Sequence, residues 1–212
     1  MIAVCDYGIG NLRSAEKALI AVGADARLVT SPSEASGAHG VVLPGVGAFG
    51  ACADGLRESG LESVIRGAVS AGVPLLGVCV GYQLLFDESD ENPGARGLGI
   101  VPGRVERLRG DVKLPQMQWN TVEIAPGSSM FAGQPDVPWF YFVHSYAPVP
   151  AEDAHDLIAA TAEYGERFVA AIERDQVWGV QFHPEKSGRN GLRFLRRFVE
   201  SAEAGSHVLE VA

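Results

Sequence analysis

Val73-Pro-Leu-Leu-Gly77-Val-Cys79-Val-Gly81-Tyr-Gln83-Leu-Leu-Phe86 is the stretch on which the fold turns. Residues 73–78 are apolar without alternation, as expected of a strand buried on both faces, and such strands belong to parallel sheets covered by helices. The chain then turns at a cysteine set between two glycines and continues into residues 82–86, whose composition suits a helix. A strand that ends in such a turn and passes straight into a helix is a nucleophile elbow, here with Cys79 at its apex. The turn forces the apical residue into a strained backbone conformation, and the flanking glycines let the chain pass without side-chain collision. A helix that starts there aims its first amides at the sulfur. That favours negative charge on it and leaves the N–H of Val80 free to bind an oxyanion. A buried structural cysteine also fits a strand end, so other residues must decide.

Upstream, short apolar runs at residues 2–5, 26–30 and 40–43 alternate with helix-like stretches. Asn11 is placed to cap the first of these, which reaches about Val22; the second covers residues 53–71 with a break near Gly60. Downstream, residues 87–99 are acidic and rich in Gly and Pro, which reads as a surface loop. Beyond it, strand candidates at residues 100–108, 121–124, 139–144, 157–162, 168–173 and 177–182 follow with hairpin-like spacing and little helix between them. Residues 188–204 form a final helix. The expectation is an α/β fold: an open, mostly parallel sheet flanked by helices, with an additional antiparallel portion. One domain over residues 1–204 accounts for it, followed by a frayed tail over 205–212.

Composition narrows the partners. A net charge of -9 argues against binding nucleic acid, whose affinity comes from Lys and Arg neutralising phosphates. The amino-terminal residues lack the basic region and long apolar run of a secretory signal, and no apolar stretch approaches a membrane span. Three cysteines, Cys5, Cys52 and Cys79, cannot all pair, and reduced thiols in a cytoplasmic protein fit best. No His, Cys, Asp and Glu set has convincing metal-ligand spacing, so no metal or other cofactor is expected.

Gln181-Phe-His183-Pro-Glu185-Lys186 supplies what the elbow needs. A nucleophilic thiol requires an imidazole that forms the ion pair and later protonates the leaving amine, and the imidazole requires a carboxylate to hold its tautomer. His183 and Glu185 can provide both, and Pro184 between them restricts the backbone. Alone this is a turn; together with the elbow it makes a Cys79–His183–Glu185 triad. Pro44-Gly45-Val46-Gly47-Ala-Phe-Gly50 matches G-x-G-x-x-G, yet it follows a third strand and has no acid ending a strand about 20 residues on, so a dinucleotide site is rejected. Beside the elbow its glycines let backbone approach a substrate carbonyl, and Val46 or Gly47 N–H offers a second oxyanion donor. Gln83, four residues past the nucleophile and one helical turn along, reaches toward the same substrate. His144 ends an aromatic strand and reads as a core residue before a catalytic one; His39, His155 and His207 read as surface residues.

With these motifs the chain resembles the class I, or triad, glutamine amidotransferases, a flavodoxin-like α/β family. Gly77-Val-Cys79-Val-Gly81-Tyr-Gln83 looks like their nucleophile motif and His183-Pro-Glu185 like their histidine–glutamate motif. Within that superfamily it is similar to the glutaminase subunits of imidazole glycerol phosphate synthase in histidine biosynthesis. Asp6-Tyr-Gly-Ile-Gly-Asn11-Leu, the Pro44–Phe49 loop, Met117-Gln-Trp119-Asn120, Tyr141-Phe-Val-His-Ser-Tyr146 and His183-Pro-Glu-Lys186-Ser187 carry that similarity across most of the chain. The resemblance implies a glutamyl thioester on Cys79, with His183 as base and acid and Glu185 orienting it. It implies L-glutamine held by Gln83 and by backbone near Gly47, Ser145 and Tyr146. It implies a (β/α)8 cyclase subunit as partner in a heterodimer, facing Asn11, Trp119, Asn120 and Lys186 and consuming the ammonia. Gln116-Met-Gln118-Trp-Asn departs from the family's frequent His-Met-Gly-Trp-Asn. The glutaminases of pyridoxal phosphate synthase share the triad logic, and a stand-alone thiol hydrolase of γ-glutamyl peptides is a reading of a different class.

Overall fold

The computed structural model describes residues 1–205 and 207–210. Along the chain run β1 (Ile2–Cys5), α1 (Leu12–Ala21), β2 (Ala26–Val29), β3 (Gly40–Gly45), α2 (Phe49–Glu58), α3 (Glu62–Ala71), β4 (Leu75–Cys79) and the single-turn α4 (Val80–Gln83). There follow β5 (Glu88–Ser89), β6 (Gly103–Arg107), β7 (Gln116–Thr121), β8 (Glu123–Ile124), β9 (Trp139–His144) and β10 (Tyr146–Pro150). The last elements are β11 (Ile158–Tyr164), β12 (Glu166–Arg174), β13 (Val177–Val180) and α5 (Gly188–Ala204).

The main sheet has eight strands in the order β2-β1-β3-β4-β13-β12-β11-β8. The first five are parallel, and β12, β11 and β8 extend the sheet antiparallel. This is the expected mostly parallel sheet with an antiparallel portion, in one continuous layer. Its centre is buried on both faces: every residue of β1, β3, β4 and β13 is buried, which is why these runs are apolar without alternation. Two ladders set the site. Gly45 pairs with Cys79 across β3 and β4, and Val180 pairs with Val78 across β13 and β4. The glycine loop, the elbow and the His-Pro-Glu turn therefore leave the same carboxyl edge of three neighbouring strands, where open α/β sheets place their sites.

Beyond β4 the structure differs from the sequence reading in four places. Residues 116–121 form β7, paired with β9 as a separate two-stranded ribbon. It shows no alternation, with only polar Gln116 buried while Met117, Gln118 and Trp119 are all exposed, so it did not read as a strand. β10 carries Pro148 and Pro150, which suit only an edge, and it is the edge of the three-stranded sheet β10-β6-β5. Residues 87–99 are more than a surface loop: they contain β5, bury Leu98, and send Glu91 and Asn92 to the first amides of α2. The tail is corrected in part. Leu209 is buried and its backbone bonds both Gly37 and Ala38, so the tail is docked at Leu209; residues 206, 211 and 212 lie outside the described residues.

Candidate active site

Cys79 ends β4 with φ 56° and ψ -113°, in a region L-residues rarely occupy. Such a conformation costs on the order of 1–3 kcal/mol and persists only where the surroundings enforce it. Here they do. A Cβ on Gly81 would stand 1.9 Å from the Leu43 carbonyl oxygen, so no other residue lets α4 pack this tightly on β3. Val80 opens α4, so its N–H has no acceptor within that helix and is available beside the sulfur. Gly47, with φ 87°, lies in the loop facing it.

His183 is fixed at both its backbone and its ring. Its N–H donates to the Tyr141 carbonyl at 2.9 Å, and its own carbonyl accepts the Ser187 hydroxyl at 2.6 Å. Phe182 beside it stacks on Phe140 with ring centroids 3.9 Å apart, holding the turn against the core. His183 Nδ1 donates to Glu185 Oε1 at 2.8 Å, which leaves Nε2 as the free ring nitrogen on the Cys79 side. Burial alone would push the imidazolium down. The sulfur of Cys79, when charged, and the Glu185 carboxylate outweigh it and hold the imidazole up at about 10. The three triad residues predicted from the sequence thus meet in one place.

Cys79 and His183 border a pocket of about 220 Å³ lined also by Val46, Gly47, Val80, Gln83, Glu91, Pro115, Val143, His144, Ser145 and Tyr146, while Glu185 lies behind the imidazole. All six predicted substrate-binding residues are among them. Size does not locate the site, since a larger hollow of about 590 Å³ at the amino ends of β4 and β13 is lined by neither a cysteine nor a histidine. The role of Gln83 is narrower than expected: its Nε2 already donates to the Tyr146 carbonyl and to Gln181 Oε1, each at 3.0 Å, so only its oxygen remains for a ligand. Glu91 was missed by sequence reading. It sits in the acidic loop, accepts the Phe49 N–H at 2.7 Å and is the carboxylate that reaches the pocket wall. Gln181, also missed, places its Nε2 3.7 Å from the Cys79 sulfur; its position two residues before His183 was the available signal.

His144 is the core histidine its setting suggested. Burial, the dominant influence, pushes its imidazole down to about 4, so the ring is neutral near pH 7. A neutral ring has one N–H. Nδ1 lies 2.8 Å from the Tyr146 carbonyl and Nε2 lies 2.8 Å from Gln116 Oε1; with the proton on Nδ1, Nε2 can accept from Gln116 only when that carboxamide is turned to present its NH2. Of the other histidines, His155 and His207 are exposed, whereas His39 is half-buried. A narrow crevice behind the imidazole is lined by Asn11, Pro44, Gly45, Val78, His183 and Glu185. Of the proposed interface residues, Asn11 lines this crevice, whereas Trp119 and Lys186 meet on the ring of Tyr141. Trp119, 46% exposed, packs edge-on against Tyr141 at 6.2 Å, and Lys186 Nζ lies 5.9 Å over the same ring. Asn120 is partly committed, donating to the Glu163 carbonyl at 2.9 Å. Asn11 is exposed and accepts the Ser14 hydroxyl rather than a helix amide.

Fold and site together define a class of protein: the glutamine amidotransferase class-I family matches residues 3–202, and the chain belongs to it. It is 46% identical to imidazole glycerol phosphate synthase subunit HisH of Moorella thermoacetica, over 94% of each chain. It is also 46% identical to the protein of that name from Methanothermobacter thermautotrophicus, over 96% of this chain and 100% of the relative. Among solved structures, a glutamine amidotransferase superposes with a TM-score of 0.73 at 23% identity, covering 96% of this chain and 99% of the other, a likeness of fold. No helix is long and apolar enough to cross a membrane, and no group of three or more His, Cys, Asp and Glu is placed to hold a metal, among the described residues.

Proposed function

We infer that the chain hydrolyses L-glutamine to glutamate and ammonia as the glutaminase subunit of an imidazole glycerol phosphate synthase, and passes the ammonia to a cyclase subunit. The observation that carries this reading is the strained Cys79 beside an imidazole whose far nitrogen is bound to Glu185 at 2.8 Å. The shared name of relatives 46% identical over nearly the whole chain supports the particular synthase.

The Cys79 sulfur attacks the γ-carboxamide carbon, and the oxygen that becomes negative is received by the N–H of Val80 and an N–H of the loop at Val46 or Gly47. His183, as imidazolium, gives its Nε2 proton to the departing nitrogen, so ammonia leaves and a γ-glutamyl thioester remains. The now neutral imidazole takes a proton from water, which attacks the thioester carbon and expels the Cys79 thiolate with glutamate. Glu185 keeps the ring oriented throughout. Glu91 suits the substrate α-ammonium, and the oxygen of Gln83 lies within the same wall. The crevice beside Asn11 opens on the far side of the imidazole and is the exit we assign to ammonia. Partner contact falls to Trp119, Asn120 and Lys186. Free thiols at Cys5, Cys52 and Cys79 suit a cytoplasmic enzyme.

The test is Cys79→Ala in the assembled complex. It is expected to lose glutamine-dependent synthesis entirely while added ammonia still supports the cyclase. Glutamate release retained by that variant would remove Cys79 from the mechanism.

A further inference from the structure

The loop that follows β3 is held by two side chains that no step above employs. Tyr7, buried just beyond β1, donates its hydroxyl to the Pro44 carbonyl at 2.6 Å. Cys52, fully buried in α2, donates its thiol to the Val46 carbonyl at 3.2 Å. The two groups lie against each other, and burial raises both above their ordinary values, so each keeps the proton it donates. The loop is anchored again just past these contacts, where Glu91 and Asn92 take the N–H groups of Phe49 and Gly50.

A peptide unit is planar, with its carbonyl and N–H pointing in opposite directions. Holding the Val46 carbonyl on Cys52 therefore fixes the direction of the Gly47 N–H, and Gly47 lines the pocket. Glycine at φ 87° has little conformational preference of its own, so this orientation depends on an external hold. We propose that Cys52 is a positioning residue: its thiol, braced by the Tyr7 hydroxyl, latches the Val46 carbonyl and sets the Gly47 amide for the developing oxyanion. The proposal rests on the glutaminase reading. Cys52 does not serve as a second nucleophile, because it is absent from the pocket lining and its proton is engaged by the loop.

The experiment is steady-state glutamate release by the complex with its cyclase and the cyclase ligand, comparing wild type, Cys52→Ala and Cys52→Ser. Loss of one neutral hydrogen bond is expected to lower kcat about three- to tenfold in Cys52→Ala with KM little changed. Cys52→Ser keeps a donor and is expected to recover most of the rate. Alkylation of Cys79 by iodoacetamide reports the elbow directly and should proceed equally in all three proteins. An unchanged kcat in Cys52→Ala, equal losses in Ala and Ser, or an altered alkylation rate would overturn the latch. A wild-type complex that releases no glutamate would overturn the glutaminase reading, and the latch with it.

Discussion

Gln181 holds its Nε2 3.7 Å from the Cys79 sulfur, while its Oε1 accepts from Gln83 at 3.0 Å. Both carboxamides are buried, so the amide next to the sulfur has little freedom to turn away. A fixed donor beside a sulfur that must carry negative charge strengthens that charge's hold on the site.

Replacing Gln181 by Leu removes this donor and leaves a Gln83 proton without its acceptor, a defect of about 1–3 kcal/mol. Gln181→Leu is expected to lower both kcat for glutamate release and the alkylation rate of Cys79 by about tenfold. The alkylation rate separates the two roles. If it matches wild type while stability alone falls, Gln181 is a packing residue.

The two buried histidines bound the stable pH range from opposite sides. His144 is held down to about 4, below its ordinary value, so the folded chain excludes a proton that the unfolded chain accepts near pH 6.5. Its contribution is complete above about pH 6.5 and is lost as pH falls toward 4. His183 is held up at about 10, so its contribution is complete below about pH 6.5 and is lost as pH rises through that higher value. Thermal melts should show Tm declining on both the acid and alkaline sides, and His144→Gln should flatten the acid decline. Identical acid slopes for the two proteins would show that carboxylates alone set it.

How far the sequence could be read depended on where burial was complete. β4 and β13 are buried on both faces, so apolarity marks them as neighbouring central strands, and the meeting of Cys79, His183 and Glu185 at their carboxyl ends was legible from the motifs that follow them. β9 was legible to the residue because its aromatic run has no competing reading. β7 was not, because its apolar Met117 and Trp119 are exposed together with Gln118 and no alternation marks the strand. Glu91 and Gln181 were hidden for another reason: an acid in a loop and a polar residue in a strand gain meaning only when the fold brings Phe49 and Cys79 to them. The narrowing of Gln83 belongs here too, since helical spacing places a side chain but does not count the partners already holding it.

The surface proposed to face the partner is linked to His183 through the single residue Tyr141, and from that follows the expectation that docking switches the enzyme on. Trp119 and Lys186 both rest on the ring of Tyr141, whose carbonyl accepts the His183 N–H at 2.9 Å and whose own N–H donates to the Ser187 hydroxyl at 2.9 Å. A cyclase pressing on Trp119 therefore acts on the strand that holds the catalytic turn. Across the site, Gly45 and Gly47 allow peptide orientation in the oxyanion loop to change at small steric cost, and one misplaced oxyanion donor costs about 10²–10³ in rate. That is enough for an off state, and an isolated subunit with no acceptor for ammonia gains nothing from hydrolysis. Glutamate release by the isolated chain is expected to be weak and to rise at least about a hundredfold with cyclase and its ligand. Trp119→Ala should blunt that rise, because the contact on Tyr141 is lost. Equal rates with and without the partner would refute the switch and leave the triad untouched.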